Sequence, residues 1–280
     1  MSQQQAFSVS MCVYHGDDPH WFRAAVDSVL NQTRKPSEVV LVVDGPVPEE
    51  LDSVIRDYEG LALFKVIRLA ENQGHGNARR IGFENSAYDL IAIMDADDLC
   101  TPIRFEKQLA AFEADPTVSV VGGQMLEFMD TPDNVVGCRE ALLTHDEICA
   151  DLKGRCPMNQ VTVMMKKKDI ARVGGYMDWY CNEDYYLWVR MYLAGMRFAN
   201  VPEVLVKVRV GSDMYKRRGG WKYFSSERRL QVYMRKHRVI GMGTYLVNVT
   251  KRFIVQVLLP NGLRGWVFKK FARTQTQVEA

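Results

Sequence analysis

Three carboxylates, Asp95, Asp97 and Asp98, fall within four positions directly after the apolar run Leu90 to Met94. A run that short and that apolar predicts a strand buried on both faces. Buried anions are costly unless paired or bound to a metal, so the acids belong just past the strand's carboxyl end. Open parallel sheets place their ligands there. In extended backbone Asp95 and Asp97 point to one side, which suits a hard divalent cation that takes one or two carboxylates plus phosphate oxygens. The competing reading is a solvated turn in which Asp98 leads into a helix opened by Thr101-Pro102.

A second cluster, Asn182-Glu183-Asp184, opens a helical stretch that ends at Gly195. A helix amino terminus favours carboxylates, so capping alone explains one acid there. It does not explain the five surrounding aromatics, Trp179, Tyr180, Tyr185, Tyr186 and Trp188. Aromatic faces stack on sugar rings, and an apolar wall raises a carboxylate toward the range of a general base. Lys216-Arg217-Arg218-Gly219-Gly220 reads either as a lid over a diphosphate or as a plain surface loop. Gly74-His75-Gly76 begins like a dinucleotide fingerprint, but it continues to Arg79 and follows the third strand rather than the first. A nicotinamide dehydrogenase is excluded on that ground. A phosphate-binding G-x-x-x-x-G-K-[ST] loop is absent from the sequence.

The elements that position these residues alternate. Strands are expected at Phe7–Tyr14, Val39–Val43, Leu63–Leu69 and Leu90–Met94. Helices are expected between and after them at Trp21–Asn31, Glu49–Tyr58, Asn77–Ala87 and Arg104–Ala114. That order means βαβ units, a mostly parallel sheet flanked by helices, and right-handed crossovers. Asp44, the Gly74 turn with Arg79, and the Asp95 cluster then share one rim of the sheet. Beyond it, Val118–Phe128 reads as a strand bent at Gly122-Gly123 and Thr131–Cys138 as a loop. Asp146–Leu152 reads as a short helix, Pro157–Met165 as a strand, Lys166–Lys168 as a solvated turn and Val204–Val210 as a last strand. Two units result: residues 1–212 as a catalytic domain, with halves at about 7–100 and 101–212, and residues 213–280 as a basic loop with amphipathic helices.

The 280 residues carry a net charge of +2 that hides an asymmetry. From Tyr215 to the end there are 15 Lys and Arg against two acids, while the rest of the chain holds 21 bases and 32 acids. A basic end on an acidic body points to an anionic partner. Tyr245–Leu259 is apolar except for a narrow polar stripe at 248, 251, 252 and 256. It is too short and too charged to span a bilayer, and it suits either an anionic membrane interface or packing on the body. Six scattered cysteines without a C-x-x-C pair fit reduced thiols. A zinc site from His145, Cys149 and Cys156 lacks a clear fourth ligand. Met1 to Ala6 is polar, so no secretory signal is expected there.

The ordered set of motifs resembles glycosyltransferase family 2, the inverting enzymes with a GT-A fold. It is carried by Ser10–Tyr14, His20–Thr33, Val42–Gly45, Asn72–Gly74 with Ala78-Arg79, Ile93–Asp98 and Asn182–Tyr185. Val206–Gly220 is further similar to enzymes that extend lipid-diphosphate-linked repeat units of O-antigens, capsules and amylovoran-type exopolysaccharide. The resemblance implies that Tyr14 and Asp44 hold the uracil and ribose of a UDP-sugar. Gly74 and Arg79 would lie by the nucleotide and Asp95 would face ribose or donor sugar. Asp97 or Asp98 would ligate Mn2+ or Mg2+, with Asp213 a candidate to complete the site. Asp184 would be the general base, Glu183 its acceptor-binding partner, and Arg217 or Arg218 would close on the diphosphate. The implied acceptor is a polyprenyl-diphosphate-linked saccharide at the inner face of the plasma membrane, and nucleic acid is not an expected partner. Family members usually carry Asn where this chain has Arg80. A sugar-phosphate nucleotidyltransferase should open with G-x-G-T-R-x-x-P, which Val13–Asp17 lacks. A nucleic-acid-binding protein would leave the acidic body without a role.

Overall fold

The computed structural model describes residues 5–211 and 219–259. Its first half follows the predicted alternation. The elements are β1 (Phe7–Val13), α1 (Pro19–Leu30), β2 (Glu38–Val43), α2 (Glu49–Glu59), β3 (Phe64–Arg68), α3 (His75–Asn85) and β4 (Leu90–Asp95). β1 to β4 pair in parallel in the order β3-β2-β1-β4. β1 and β4 alternate strictly. Phe7, Val9, Met11, Val13, Leu90, Ala92 and Met94 face the core under α1 and α2, while Ile91 and Ile93 face the opposite core. On that opposite side β1 presents Ser8, Ser10 and Cys12, and α3 crosses closely because Gly82 has no Cβ to strike Ser10. Asp18 starts α1 by accepting from the His20 and Trp21 amides at 2.8 and 3.1 Å.

The second half is a mixed sheet. It comprises β5 (Leu99–Cys100), α4 (Arg104–Ala114), β6 (Val118–Phe128), β7 (Val135–Arg139), α5 (His145–Leu152), β8 (Met164–Lys166), α6 (Lys167–Arg172), α7 (Glu183–Leu193) and β9 (Arg197–Arg209). The sheet continues from β4 as β8-β6-β9-β5, with β7 on the free side of β6. Three expectations are corrected here. The 131–138 loop contains β7, which pairs antiparallel with β6. The 157–165 strand is instead a 3₁₀ turn, Gln160–Thr162, followed by the short β8. The triple lysine opens α6, and Lys167 Nζ donates to the Ser86 and Glu84 carbonyls at 2.5 and 3.2 Å. The bend at Gly122-Gly123 coincides with a shift in register against β9, where a Cβ on Gly123 would lie 2.6 Å from Leu205.

Two helices complete the described chain, α8 (Gly220–Lys236) and α9 (Met242–Phe253), the latter running into a π turn at Ile254–Leu258. α8 buries Leu230 and Met234 in the core shared with α7. α9 is oriented the other way about. Three residues of its polar stripe face inward and Lys251 faces out: Asn248 Nδ2 donates to the Lys153 carbonyl at 2.8 Å and to Gln231 Oε1 at 2.9 Å, Arg252 pairs with Glu227, and Gln256 is buried. Met242, Leu246 and Val247 of α9 and Leu258 of the π turn face out, at 53%, 56%, 51% and 60% exposure. Among the described residues no helix is long and apolar enough to cross a membrane.

Candidate active site

The rim is built from three turns that hold one another. Asp44, one residue past β2, accepts from the Gln73 and Gly74 amides at 2.7 and 3.1 Å, and its carbonyl accepts from Asn72 Nδ2 at 3.1 Å. Gly74 sits at φ +85°. Gly45, also at φ +85°, lets the turns touch, since a Cβ there would fall 2.6 Å from the Asn72 amide. Asp44 therefore shapes the glycine turn with both of its carboxylate oxygens. Arg79 lies beneath that turn, 5% exposed, with Nη2 2.6 Å from Asp95 Oδ1. Burial works against both charges. Arg79 and His75 nevertheless keep Asp95 below the usual carboxylate range, and Asp95 keeps Arg79 charged. Arg79 thus forms an ion pair that orients Asp95 at the rim. Tyr14, 42% exposed, folds its ring over Gly16, where a Cβ would meet the phenol oxygen at 2.5 Å.

The carboxylate segment is a turn and not an extension. β4 ends at Asp95, Ala96-Asp97 turns, and β5 pairs antiparallel with β9. The two-residue alternation argument for Asp95 and Asp97 fails for that reason. Asp98 is buried, 3% exposed, and accepts from the Arg209 amide at 2.9 Å. It does not cap α4, whose first residue is Arg104. Asp98 is pushed well above the usual carboxylate range by burial and by the charges of Asp97 and Asp95. Asp17, from the turn after β1, rises to about 7 through burial and then through Asp97 and Asp95. Burial first, and then the charges of Asp97 and Asp95, raise both acids, so this is a place with surplus negative charge.

That surplus is the test of fit for a divalent cation. Among the described residues no group of three or more His, Cys, Asp or Glu stands ready to enclose a metal ion. Mg2+ and ions like it need no such cage, since one or two carboxylates suffice when a substrate's phosphates and water supply the rest. Asp97 and Asp95 are the carboxylates placed for that role, and Asp98 is engaged with β9. Asp213, Arg217 and Arg218 lie outside the described residues. The zinc alternative is not assembled: Cys149 Sγ is 3.6 Å from the His145 ring nitrogens, while Cys156 Sγ lies 3.6 Å from Asp184.

Glu183 and Asp184 begin α7, and Glu183 faces the rim. Glu183 Cβ lies 3.9 Å from the place a Cβ on Gly76 would occupy, and Glu183 feels both Arg79 and Asp95. Burial and then Asp184 raise Glu183 to about 7. Asp184 Oδ1 accepts from the Tyr185 amide at 2.6 Å. The residue before Asn182, Cys181, is held at φ +56°, a strained conformation that costs on the order of 1 kcal/mol and persists only where its surroundings impose it. Those surroundings belong to α8. Ser226 Oγ donates to the Tyr180 carbonyl at 2.6 Å, Asn182 Nδ2 donates to Ser226 Oγ at 3.3 Å, and Trp179 Nε1 donates to the Ser226 carbonyl at 3.3 Å.

The aromatic wall is mostly core. Tyr185 and Trp188 are buried, Trp179 packs on Tyr186 at 4.3 Å, and Arg229 stands 4.6 Å above Trp179. Tyr180 alone of the five is largely exposed, with Lys222 4.1 Å from its ring centre. Sequence reasoning missed Asp17, Cys156 and Arg104. Arg104 is fully buried and donates to the Ile93 carbonyl at 2.7 Å below the rim. The available signal was a charged residue at a core-facing helical position of α4, next to Phe105 and Gln108.

Two family models match the chain: Glycosyl transferase family 2 over residues 8–170 and Glycosyl transferase family group 2 over residues 90–268. An amylovoran biosynthesis glycosyltransferase of Erwinia amylovora, AmsE, is 35% identical over 267 residues, spanning 94% of this chain and 98% of that protein. An Escherichia coli UDP-Gal:alpha-D-GlcNAc-diphosphoundecaprenol beta-1,3-galactosyltransferase is 34% identical over 95% of this chain and 96% of its own. The fold is similar to a Pyrobaculum calidifontis mannosyltransferase in complex with GDP-Man and Mn2+, with TM-score 0.61 and 16% identity over 94% of this chain and 72% of that one. It is also similar to residues 1–349 of S. aureus TarS in complex with UDP-GlcNAc, with TM-score 0.61 and 14% identity over 89% and 73% of the two chains.

Proposed function

From the premise that this chain belongs to glycosyl transferase family 2 and is a glycosyltransferase of the GT-A fold, we propose that it moves a hexose from a UDP-sugar to a polyprenyl-diphosphate-linked saccharide. The transfer inverts the anomeric carbon and builds bacterial surface polysaccharide. The observation that carries this reading is the meeting of two acid groups at one rim. Glu183 and Asp184 stand against the Arg79–Asp95 pair, beside a carboxylate turn with surplus negative charge. The two full-length relatives with lipid-linked or exopolysaccharide roles support the acceptor class.

In this mechanism Tyr14, Asp44 and the Gly74 turn seat the nucleoside, and Asp95, oriented by Arg79, faces the ribose or donor sugar. Asp97, with Asp95, would hold Mn2+ or Mg2+; when bound, the ion offsets charge on the departing diphosphate. Asp184 takes the proton of the acceptor hydroxyl, whose oxygen bonds to the anomeric carbon from the face opposite the leaving group. The bond from that carbon to the β-phosphate oxygen breaks, its electron pair leaves with UDP, and an α-linked donor yields a β-glycoside. Glu183, half-buried, receives a neighbouring acceptor hydroxyl. Asp213, Arg217 and Arg218 belong to the segment assigned to close on the diphosphate, within the extension 213–280 that follows the catalytic unit 1–212.

The acceptor's lipid places the reaction at the inner face of the plasma membrane, with the protein peripherally bound. Support comes from α9, which turns Asn248 and Arg252 to the body and leaves Leu246, Val247 and Lys251 outward, followed in sequence by Arg264, Lys269, Lys270 and Arg273. A panel of UDP-sugars assayed with synthetic GlcNAc- and GalNAc-diphosphate lipids tests the whole reading. One donor should give a β-linked disaccharide lipid and free UDP, and transfer from no donor to either lipid would overturn it.

A further inference from the structure

Arg209, the last residue of β9, is half-buried among aromatic rings and backbone carbonyls. Its guanidinium carbon lies 4.3 Å from the Trp21 ring centre and 4.7 Å from that of Phe128. Nε donates to the Asp97 carbonyl at 3.3 Å, and Nη1 donates to the Asp130 carbonyl at 3.2 Å. Its backbone amide donates to Asp98 Oδ1 at 2.9 Å. One residue thus grips both acids of the turn, one through its side chain and one through its main chain, while ring contacts from α1 and β6 hold it in place.

The turn needs such a grip. The segment leaves β4 at Asp95, which pairs with Arg79, turns at Ala96-Asp97 and meets β9 at Asp98. Its backbone keeps that course only where hydrogen bonds hold it. Arginine suits the task where lysine does not. The planar guanidinium lies flat against rings while its edge donors reach two carbonyls, and an ammonium offers a single point charge with no plane. We infer that Arg209 is a positioning residue for the donor site, one that holds the Asp97–Asp98 turn in register so that Asp97 is presented to the diphosphate and its cation. It touches no reacting atom. The inference rests on the reading of Asp97 given above and extends it to β9.

The test compares Arg209→Lys with Lys207→Met, a variant two residues away on the same strand. Lys207 Nζ donates to the Pro132 carbonyl at 3.1 Å and so also steadies the loop after β6. UDP affinity is titrated by calorimetry with and without Mn2+, and amide exchange is followed across residues 95–100. Arg209→Lys should raise the Mn2+ midpoint for UDP binding about tenfold, the size of one stacked and charge-assisted contact, and should speed exchange across 95–100. Lys207→Met should do neither. Equal Mn2+ midpoints and equal exchange in Arg209→Lys and wild type would overturn the inference, as would the same change in Lys207→Met. Faster exchange with an unmoved midpoint would leave Arg209 a structural residue and also overturn it. Should wild type bind UDP identically with and without Mn2+, the metal reading fails by itself. Exchange across 95–100 together with the metal-free UDP affinity of Arg209→Lys then decides the inference: both altered sustains it, either unchanged overturns it.

Discussion

The carboxylate rim and the outer face of α9 are opposites in polarity and alike in what they leave undone. At the rim, acids are drawn together, and burial followed by the charges of Asp97 and Asp95 raises Asp17 and Asp98 above the ordinary carboxylate range. On α9 and the π turn after it, Asn248, Arg252 and Gln256 are turned inward while Leu246, Val247 and Leu258 stand in water. α2 shows the ordinary arrangement, with Leu51, Val54, Ile55 and Tyr58 buried and acids outward. Hydrophobic burial orients α2, whereas hydrogen bonds and the Arg252–Glu227 pair orient α9. The proposed function gives each departure a purpose: a cation with a pyrophosphate at one end, an apolar surface for lipid at the other.

If the two regions serve one reaction but separate partners, they should be separable by substitution. The largest effect is expected from Asp184→Asn, which should lower kcat by about 10² to 10⁴ while UDP and liposome binding stay as in wild type. Wild-type turnover in a steady-state assay would remove Asp184 from the chemistry. Next, Asp97→Ala should cost roughly a hundredfold of the Mn2+-dependent UDP affinity, and unchanged titration heats would refute the assignment. The complementary change, Leu246→Asp with Val247→Asp, should reduce sedimentation with anionic liposomes roughly a hundredfold and spare transfer to a water-soluble acceptor. Equal sedimentation would mean that α9 does not meet lipid.

The smallest effect is a pH dependence. Glu183 lies at about 7 in the folded protein against an ordinary 4.5, so the folded state holds the proton longer than the unfolded chain. Stability therefore falls as pH rises from about 4.5 to about 7, by at most about 1.4 kcal/mol for each pH unit, and levels off above. Glu183→Gln should flatten that stretch in a series of thermal unfolding curves. A slope unchanged by the substitution would assign the titration to another group.

The first half of the fold was legible because its strands are doubly buried runs separated by helices with clear apolar periodicity. The glycine turns and the acids fell at the predicted ends of those strands for the same reason. The second half was harder. β7 is a short strand at a sheet margin, half polar, and β8 follows a 3₁₀ turn of equally apolar residues, so no period distinguished them. Within the site, residue types announced Asp95, Asp97 and Asp184. Their partners were hidden because each comes from another part of the chain: Arg209 lies more than a hundred positions from Asp97, and Cys156 lies 28 positions before Asp184. The inversion of α9 was half readable. The polar stripe was visible, but only the pairing with Lys153, Gln231 and Glu227 says which way it faces.

Ser226 ties α8 to the backbone of Tyr180 and the side chains of Trp179 and Asn182, directly ahead of the acid pair. The carboxyl-terminal helices are accordingly foundations of the loop that carries the acid pair. Cutting the gene short before residue 220 to obtain a better-behaved protein would release the loop that Cys181 strains to make, and would deliver a sheet with its nucleotide end intact and its acceptor end unmade.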